Sequence, residues 1–483
     1  MYIGGKWVDA SEQIEVINPF DNSIIDTIPK ATPGNISEAI SSAVRGKSDM
    51  AKLSGYDRYT ILSKAAQLLV DRKEDLGKTI SLEEGKILDE GLTEVDRAIQ
   101  TMILSAEEAK RLYGETIPLD AAPTWTGQIG FTLRVPCGVV AAITPFNFPL
   151  NLVCHKVGPA IAGGNSVIIK PATDTPLSAL KLTEIMLDAG LPPEGIQCIT
   201  GSGKTIGDHL TKDSRIRKIT FTGSKEVGEH ICRTAGLKRV TMELGSNAPL
   251  IIMPDADIDK VVKATVSSGF SNAGQVCISA QRILTNKDIY ADFVDALTEN
   301  VNNIETGNQL DPKIKMGPMV RSQDATRVNT WIKEATNNGA RTTTGGEYQG
   351  ALHQPTVVVD VSPDMTISCE ELFGPAVAVT PFTNIEQAIE LANDSNYGLS
   401  AGIFTQNIDW AMKFIQEVDS GNLMINSGPQ WRADLMPYGG LKDSGMGKEG
   451  PKYAIHEMTE LKMVVYHPCL LYTSDAADER SSV

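Results

Sequence analysis

Apolar side chains at positions 61, 62, 65, 68 and 69 of RYTILSKAAQLLVDRKEDL (58–76) recur at helical spacing, with charged residues on the opposite face. The first hundred or so residues read mostly as helix. From Val139 the texture changes to short apolar runs: VVAAI (139–143), SVIIK (166–170), the run from 196 to 199, and RKITF (217–221). Such runs predict buried parallel strands. Between them the clearest helix is 176–189, where Thr175 is placed to cap, Pro176 suits the first helical position and Gly190 closes the end. Strand and helix in alternation predict a doubly wound α/β domain. A second series, APLIIM (248–253), a helix over 257–270 behind Asp255 and Asp257, QRILT (281–285), TVVVD (356–360) and AVAVT (376–380), predicts another α/β domain over about 247–440. Residues 119–136 break the pattern and read as an extended arm. The segment after Leu471 is small and polar, which predicts a disordered tail, or one not native to the protein.

With 483 residues, 41% hydrophobic and 22% charged, the chain has enough apolar surface for two or three domains. The net charge of −16 argues against nucleic-acid partners, which require a basic face. The opening MYIGGKWVDA lacks the basic-then-apolar pattern of a signal peptide, and no run approaches the length of a membrane span, so a cytoplasmic protein without a membrane partner is the expectation. Seven cysteines, at 137, 154, 198, 232, 277, 369 and 469, form no CxxC pair and have no histidine at ligand spacing, which predicts reduced thiols and no metal site.

Two glycine motifs are set aside. Gly445, Gly447 and Gly450 spell GxGxxG but follow YGGLKDS rather than a buried strand, and GSGKT (201–205) lacks the first glycine of a P-loop. The informative loop is FTGSKEVG, Phe221 to Gly228, which leaves a predicted strand and opens a helix whose free N–H groups suit a pyrophosphate.

FTGSKEVG, MELGSNAP (242–249), GQVC (274–277), EELFGP (370–375) and TPFNFP (144–149) stand together in the order and at the spacing of the aldehyde dehydrogenase superfamily, a resemblance running from about Ile3 to Tyr466. It implies an α/β fold of three parts: a Rossmann-like dinucleotide domain (1–118 and 137–246), an α/β catalytic domain (247–440), and a β oligomerisation arm (119–136 and 441–467) through which homodimers or homotetramers form. Residues 468–483 form the tail. The implied activity is oxidation of a small aldehyde to its carboxylate with hydride transfer to NAD or NADP. Cys277 matches the nucleophile that forms the thiohemiacetal and thioester. Asn147, with the Cys277 backbone N–H, matches the oxyanion donors, each typically worth about a hundredfold or more in rate. Glu243 matches the base that hydrolyses the thioester.

Around the cofactor the resemblance implies Lys170 and Glu371 at the ribose hydroxyls, Gly223 and Ser224 at the pyrophosphate, Phe373 by the nicotinamide, and Thr144, Pro145 and Phe146 along the same wall. Relatives that favour NAD often carry glutamate at the position of Thr173, so a neutral hydroxyl there implies acceptance of NADP. NSGPQWRADLMPYGG, ahead of the last glycine motif, resembles relatives acting on lactaldehyde and other small polar or anionic aldehydes. Arg432 is the candidate for the substrate's anionic or hydroxyl group, against a salt bridge to Asp434 or another loop acid. Val276, Ile278, Leu150 and Phe146 are candidate apolar walls. His155 reads as structural. The competing readings are a coenzyme A-acylating semialdehyde dehydrogenase and a catalytically silent relative; joint retention of Cys277, Glu243, Asn147, Lys170 and Glu371 argues against the second.

Overall fold

The computed structural model describes residues 1–123 and 127–467; the predicted tail at 468–483 lies outside them. Its first sheet has a parallel core in the spatial order Ile196–Cys198, Ser166–Lys170, Val139–Ile143, Lys218–Thr222 and Arg239–Glu243. All five residues of Val139–Ile143, Ser166–Lys170 and Lys218–Thr222 are buried, as uniformly apolar runs covered by helices on both faces require. The strand order reverses between Val139–Ile143 and Lys218–Thr222. Binding crevices of open α/β sheets form beyond the carboxyl ends of the strands at such a reversal, and here those ends lead into Thr144–Asn147 and Gly223–Ser224.

A second sheet runs Arg341–Thr344, Thr356–Val359, Ala376–Phe382, Ala280–Asn286, Ala248–Ile252, Ser400–Phe404 and Asn422–Ile425, parallel except at its first strand. It carries a core of its own around Leu250, Ile283, Val358 and Val377. Ile129–Pro136 leaves the body as the middle strand of a three-stranded antiparallel sheet, between Thr116–Ile117 and Thr459–Tyr466. Thr459–Tyr466 is an edge strand, and Leu461, Met463 and Val465 on it and Ile129, Phe131 and Leu133 on its neighbour are exposed.

Two local expectations change. The predicted helix runs Leu177–Asp188, and Thr175 does not cap it: its hydroxyl donates to the Phe146 carbonyl (3.2 Å). The cap comes from Glu83, nearly a hundred residues away, whose carboxylate accepts from the N–H groups of Leu177 (2.7 Å) and Ser178 (3.0 Å). The GxGxxG at 445–450 serves packing. Gly445–Met446 pairs antiparallel with Met242 and Glu243, and a Cβ at Gly445, where φ is +128°, would collide with the Met242 carbonyl oxygen.

Candidate active site

Two cavities meet at Cys277. The larger, about 1030 Å³, lies at the crevice of the first sheet, and Thr144, Pro145, Phe146, Gly223 and Ser224 form part of its wall. The helix Lys225–Thr234 begins there without a side-chain cap, so its first N–H groups face the space unclaimed. A Cβ at Gly223 would strike the Phe221 ring. Lys170 and Glu371 line the same cavity. Burial pulls the Lys170 ammonium down to about 8 and pushes the Glu371 carboxyl up to about 7, although Glu371 accepts a hydrogen bond from the Ser246 N–H (2.8 Å). Phe373 sits in the left-handed region (φ +47°) with its ring edge-on to Phe146 at 5.8 Å. An apolar slot, an open helix N-terminus and hydrogen-bonding groups with unmet electrostatic demand fit a dinucleotide.

Cys277 follows a tight turn in which Asn272 and Ala273, neither a glycine, hold φ near +50°. Strained backbone of this kind persists where the surroundings over-determine it. Here the surroundings include Gly274 (φ +70°), where a Cβ would collide with the Gly374 carbonyl and separate GQVC from EELFGP. Asn147 is tied to the same turn. Its Nδ2 donates to the Gln275 carbonyl (2.7 Å), and its own carbonyl accepts from the buried Lys86 Nζ (2.7 Å) and from Asn272 Nδ2 (3.2 Å). The amide and the thiol are thus positioned by one network.

The Cys277 thiol is not the readily ionised group that a free-cysteine pKa suggests. Burial pushes it up to about 11, partly opposed by Tyr438, whose hydroxyl lies 2.9 Å from Sγ, and by Arg432. Glu243 ends its strand almost wholly buried, and neither carboxylate oxygen has a hydrogen-bond partner. Burial first, and then Glu449, hold its pKa well above the carboxylate range. Glu243 lines neither cavity; its side chain rests against the turn at Gly439.

The smaller cavity, about 350 Å³, is where Val276 and Ile278 face the space together with Phe148 and Trp431. Arg432 also lines it. Its guanidinium donates to Glu449 (3.1 Å), not to Asp434, which is held by Arg97 and His155 (2.9 Å each). Burial works against the charge on Arg432, but Glu449, Tyr438 and Asp434 more than offset it, and its Nε has no partner. Burial first, and then Arg432, lower the His155 imidazole below its ordinary value, against the opposing pull of Asp434 and Glu449. Glu449 thus takes both Arg432 and Lys156, and Asp434 takes Arg97 and His155, while burial first, and then Glu449, disfavours a charge on Glu243. Nearby, Lys86 pairs with Glu94 (2.8 Å), while burial pushes Glu84 and Glu90 toward neutrality. Arg432 and Arg97 are two guanidinium groups on the wall of the smaller cavity.

Two sequence candidates lie elsewhere. Leu150 is fully buried in the core and faces neither cavity; it contributes its N–H to Glu94 (2.9 Å), and Leu152 lines the space instead. Thr173 stands behind the wall with its hydroxyl on the Gly201 carbonyl (3.1 Å). The residue that reaches the larger cavity there is Lys204, from the GSGKT set aside above. The other residues missed from sequence are Tyr438, Glu449, Lys156 and Arg97. Glu449 lies inside the GxGxxG and Tyr438 opens the YGGLKDS before it; nothing local marks Lys156 or Arg97.

A cysteine at the junction of a dinucleotide crevice and a second, smaller cavity, with an asparagine amide and a buried glutamate nearby, defines a thiol-dependent NAD(P)-linked oxidoreductase. Residues 7–464 match the aldehyde dehydrogenase family, and the chain belongs to it. It is 46% identical over 465 residues to a 3-sulfolactaldehyde dehydrogenase from Priestia aryabhattai (96% of this chain, 97% of the relative). It is 40% identical over 469 residues to a lactaldehyde dehydrogenase from Methanococcus aeolicus (96% and 99%). Among solved structures, glyceraldehyde-3-phosphate dehydrogenase from Methanocaldococcus jannaschii, complexed with NADP, superimposes with a TM-score of 0.91 at 36% identity (94% and 99%). The protein is an NAD(P)-dependent aldehyde dehydrogenase. Among the described residues no helix is long and apolar enough to cross a membrane.

Proposed function

We infer that the substrate is a small polar aldehyde with an anionic group near the carbonyl, oxidised to its carboxylate by the hydrolytic route. The two guanidinium groups on the wall of the smaller cavity, Arg432 and Arg97, carry this reading. Arg432 is the anchor, because it lines this cavity and a guanidinium's planar N–H fork suits a sulfonate, carboxylate or phosphate oxygen. The relative named for 3-sulfolactaldehyde supports the anionic choice, and the one named for lactaldehyde supports a neutral hydroxyaldehyde as the second reading.

In this reading the Cys277 thiolate attacks the carbonyl carbon, and the oxyanion is received by the Cys277 N–H and the Asn147 amide. The bound nicotinamide supplies the hydride acceptor. Glu243 then swings from its buried position, takes a proton from water and directs hydroxide at the thioester. Lys170 and Glu371 hold the cofactor hydroxyls, and Gly223 and Ser224 border its pyrophosphate.

For NADP, the neutral Thr173 removes a repulsion while Lys204 supplies the cation, beside the start of the helix Gly203–Lys212. Replacing Lys204 with alanine should weaken NADP binding about tenfold, the size of one charge-assisted hydrogen bond, and leave NAD unchanged. Titration of both nucleotides reads this directly; equal effects on the two would remove Lys204 from the 2′-phosphate.

The functional assignment is tested by nucleotide reduction with 3-sulfolactaldehyde, succinic semialdehyde, lactaldehyde and propanal, without coenzyme A. Anionic aldehydes should give the highest kcat/KM; a preference for lactaldehyde would favour the second reading, and a requirement for coenzyme A would overturn the hydrolytic step. The exposed apolar residues on the free edge at Thr459–Tyr466 support a homo-oligomer built on that strand, since such edges pair unless covered. Val465→Lys should then lower the mass measured by light scattering; an unchanged mass would place the interface elsewhere.

A further inference from the structure

The contact between Tyr438 and Cys277 has no part in the chemistry above. Tyr438 is 2% exposed and packs with Val276, Ile278 and Leu399, against which Cys277 rests. Its backbone is clamped to Glu449 by reciprocal hydrogen bonds (3.2 and 2.7 Å). The guanidinium of Arg432 lies over its ring, 3.7 Å from the centroid. Backbone and ring are therefore both fixed, and the hydroxyl is delivered to Sγ at 2.9 Å.

With a thiol as partner, either atom could donate. With a thiolate the assignment is forced: the sulfur has no proton, so the phenol must donate. The other ionisable groups near the sulfur divide by sign, Glu371 and Glu243 disfavouring its negative charge and Arg432 favouring it. Burial also holds the Tyr438 hydroxyl well above its ordinary value, so it keeps its own proton.

We propose that Tyr438 is a catalytic residue, donating a hydrogen bond to the Cys277 sulfur that stabilises the attacking thiolate and the same thiolate when it leaves the hydrolysed thioester. No proton passes from the tyrosine in either step. The Arg432 cation above the ring polarises the phenol as a donor, joining the substrate-side charge to the nucleophile. This inference rests on Cys277 as nucleophile but not on the identity of the aldehyde.

The test is alkylation of the free enzyme by iodoacetamide across neutral to alkaline pH, comparing wild type with Tyr438→Phe and using Cys277→Ala as the blank. Phenylalanine keeps the ring and the Arg432 stack and removes only the hydroxyl. Loss of a hydrogen bond to a charged sulfur should move the alkylation midpoint up by about one pH unit or more. At neutral pH labelling should slow about three- to tenfold, the lower figure allowing for greater intrinsic reactivity of the more basic thiolate. In turnover, kcat/KM should fall by a common factor for anionic and neutral aldehydes. NAD(P) binding should be unchanged, which separates the effect from misfolding. A superimposable alkylation profile, or one displaced to lower pH, would overturn the proposal; the second would mean that the hydroxyl holds the neutral thiol.

Discussion

Cys277→Ala should reduce turnover by about 10⁴-fold or more, because no other group replaces the sulfur that carries the acyl intermediate. Glu243→Gln should behave differently. Hydride transfer precedes hydrolysis, so this variant should release about one equivalent of NAD(P)H per subunit in a rapid burst and then turn over about 10²- to 10⁴-fold more slowly than wild type. The pH dependence follows from the two raised pKa values. Below its folded pKa Glu243 is protonated and cannot accept a proton from water, so kcat limited by hydrolysis rises with pH until that carboxyl ionises. Cys277, pushed up to about 11, imposes a rise on kcat/KM, which reports the free enzyme. In Glu243→Gln the rise in kcat should disappear while that in kcat/KM remains. Stopped-flow absorbance at 340 nm checks both: absence of a burst would place Glu243 before hydride transfer, and substantial activity in Cys277→Ala would remove the thioester from the reaction.

What the chain discloses by itself is uneven, and the unevenness is physical. The runs at 139–143, 166–170 and 218–222 are legible because a strand buried on both faces has no room for polar alternation. The FTGSKEVG loop is legible because one turn contains both the tight backbone and the helix start that an anion needs. The start of the helix Leu177–Asp188 is not, because its cap is the distant carboxylate of Glu83. Leu150 lies away from the cavities for a related reason: adjacency to Asn147 does not fix direction once the chain enters a helix, and its side chain turns into the core. Lys204 is not legible either, because GSGKT lacks the first glycine of a P-loop and nothing else in it points to the adjoining crevice. The charge state of Glu243 is the least legible of all, since it depends on burial and on Glu449, two hundred residues away, being the acid that Lys156 and Arg432 keep ionised.

The same cluster makes Arg432→Leu the sharpest probe of substrate class. An anionic aldehyde that gives up its hydration to reach Arg432 loses a charge-assisted contact in the variant, and truncating one partner of a buried charged pair commonly costs 2–5 kcal/mol. The expected result is a fall of about 10²-fold or more in kcat/KM for 3-sulfolactaldehyde. Removing the guanidinium also deprives Glu449 of a partner and Tyr438 of its stacked cation, so some loss should appear with every aldehyde. That part is common to all substrates and cancels in a ratio. The decisive quantity is therefore the preference for an anionic over a neutral aldehyde, which should collapse in Arg432→Leu and recover partly in Arg432→Lys, where the charge returns without the planar fork. If both aldehydes fall by the same factor, Arg432 serves the acid cluster and the sulfur alone, and the anion is bound elsewhere; Arg97, held by Asp434 at the same cavity, would then be the next residue to replace.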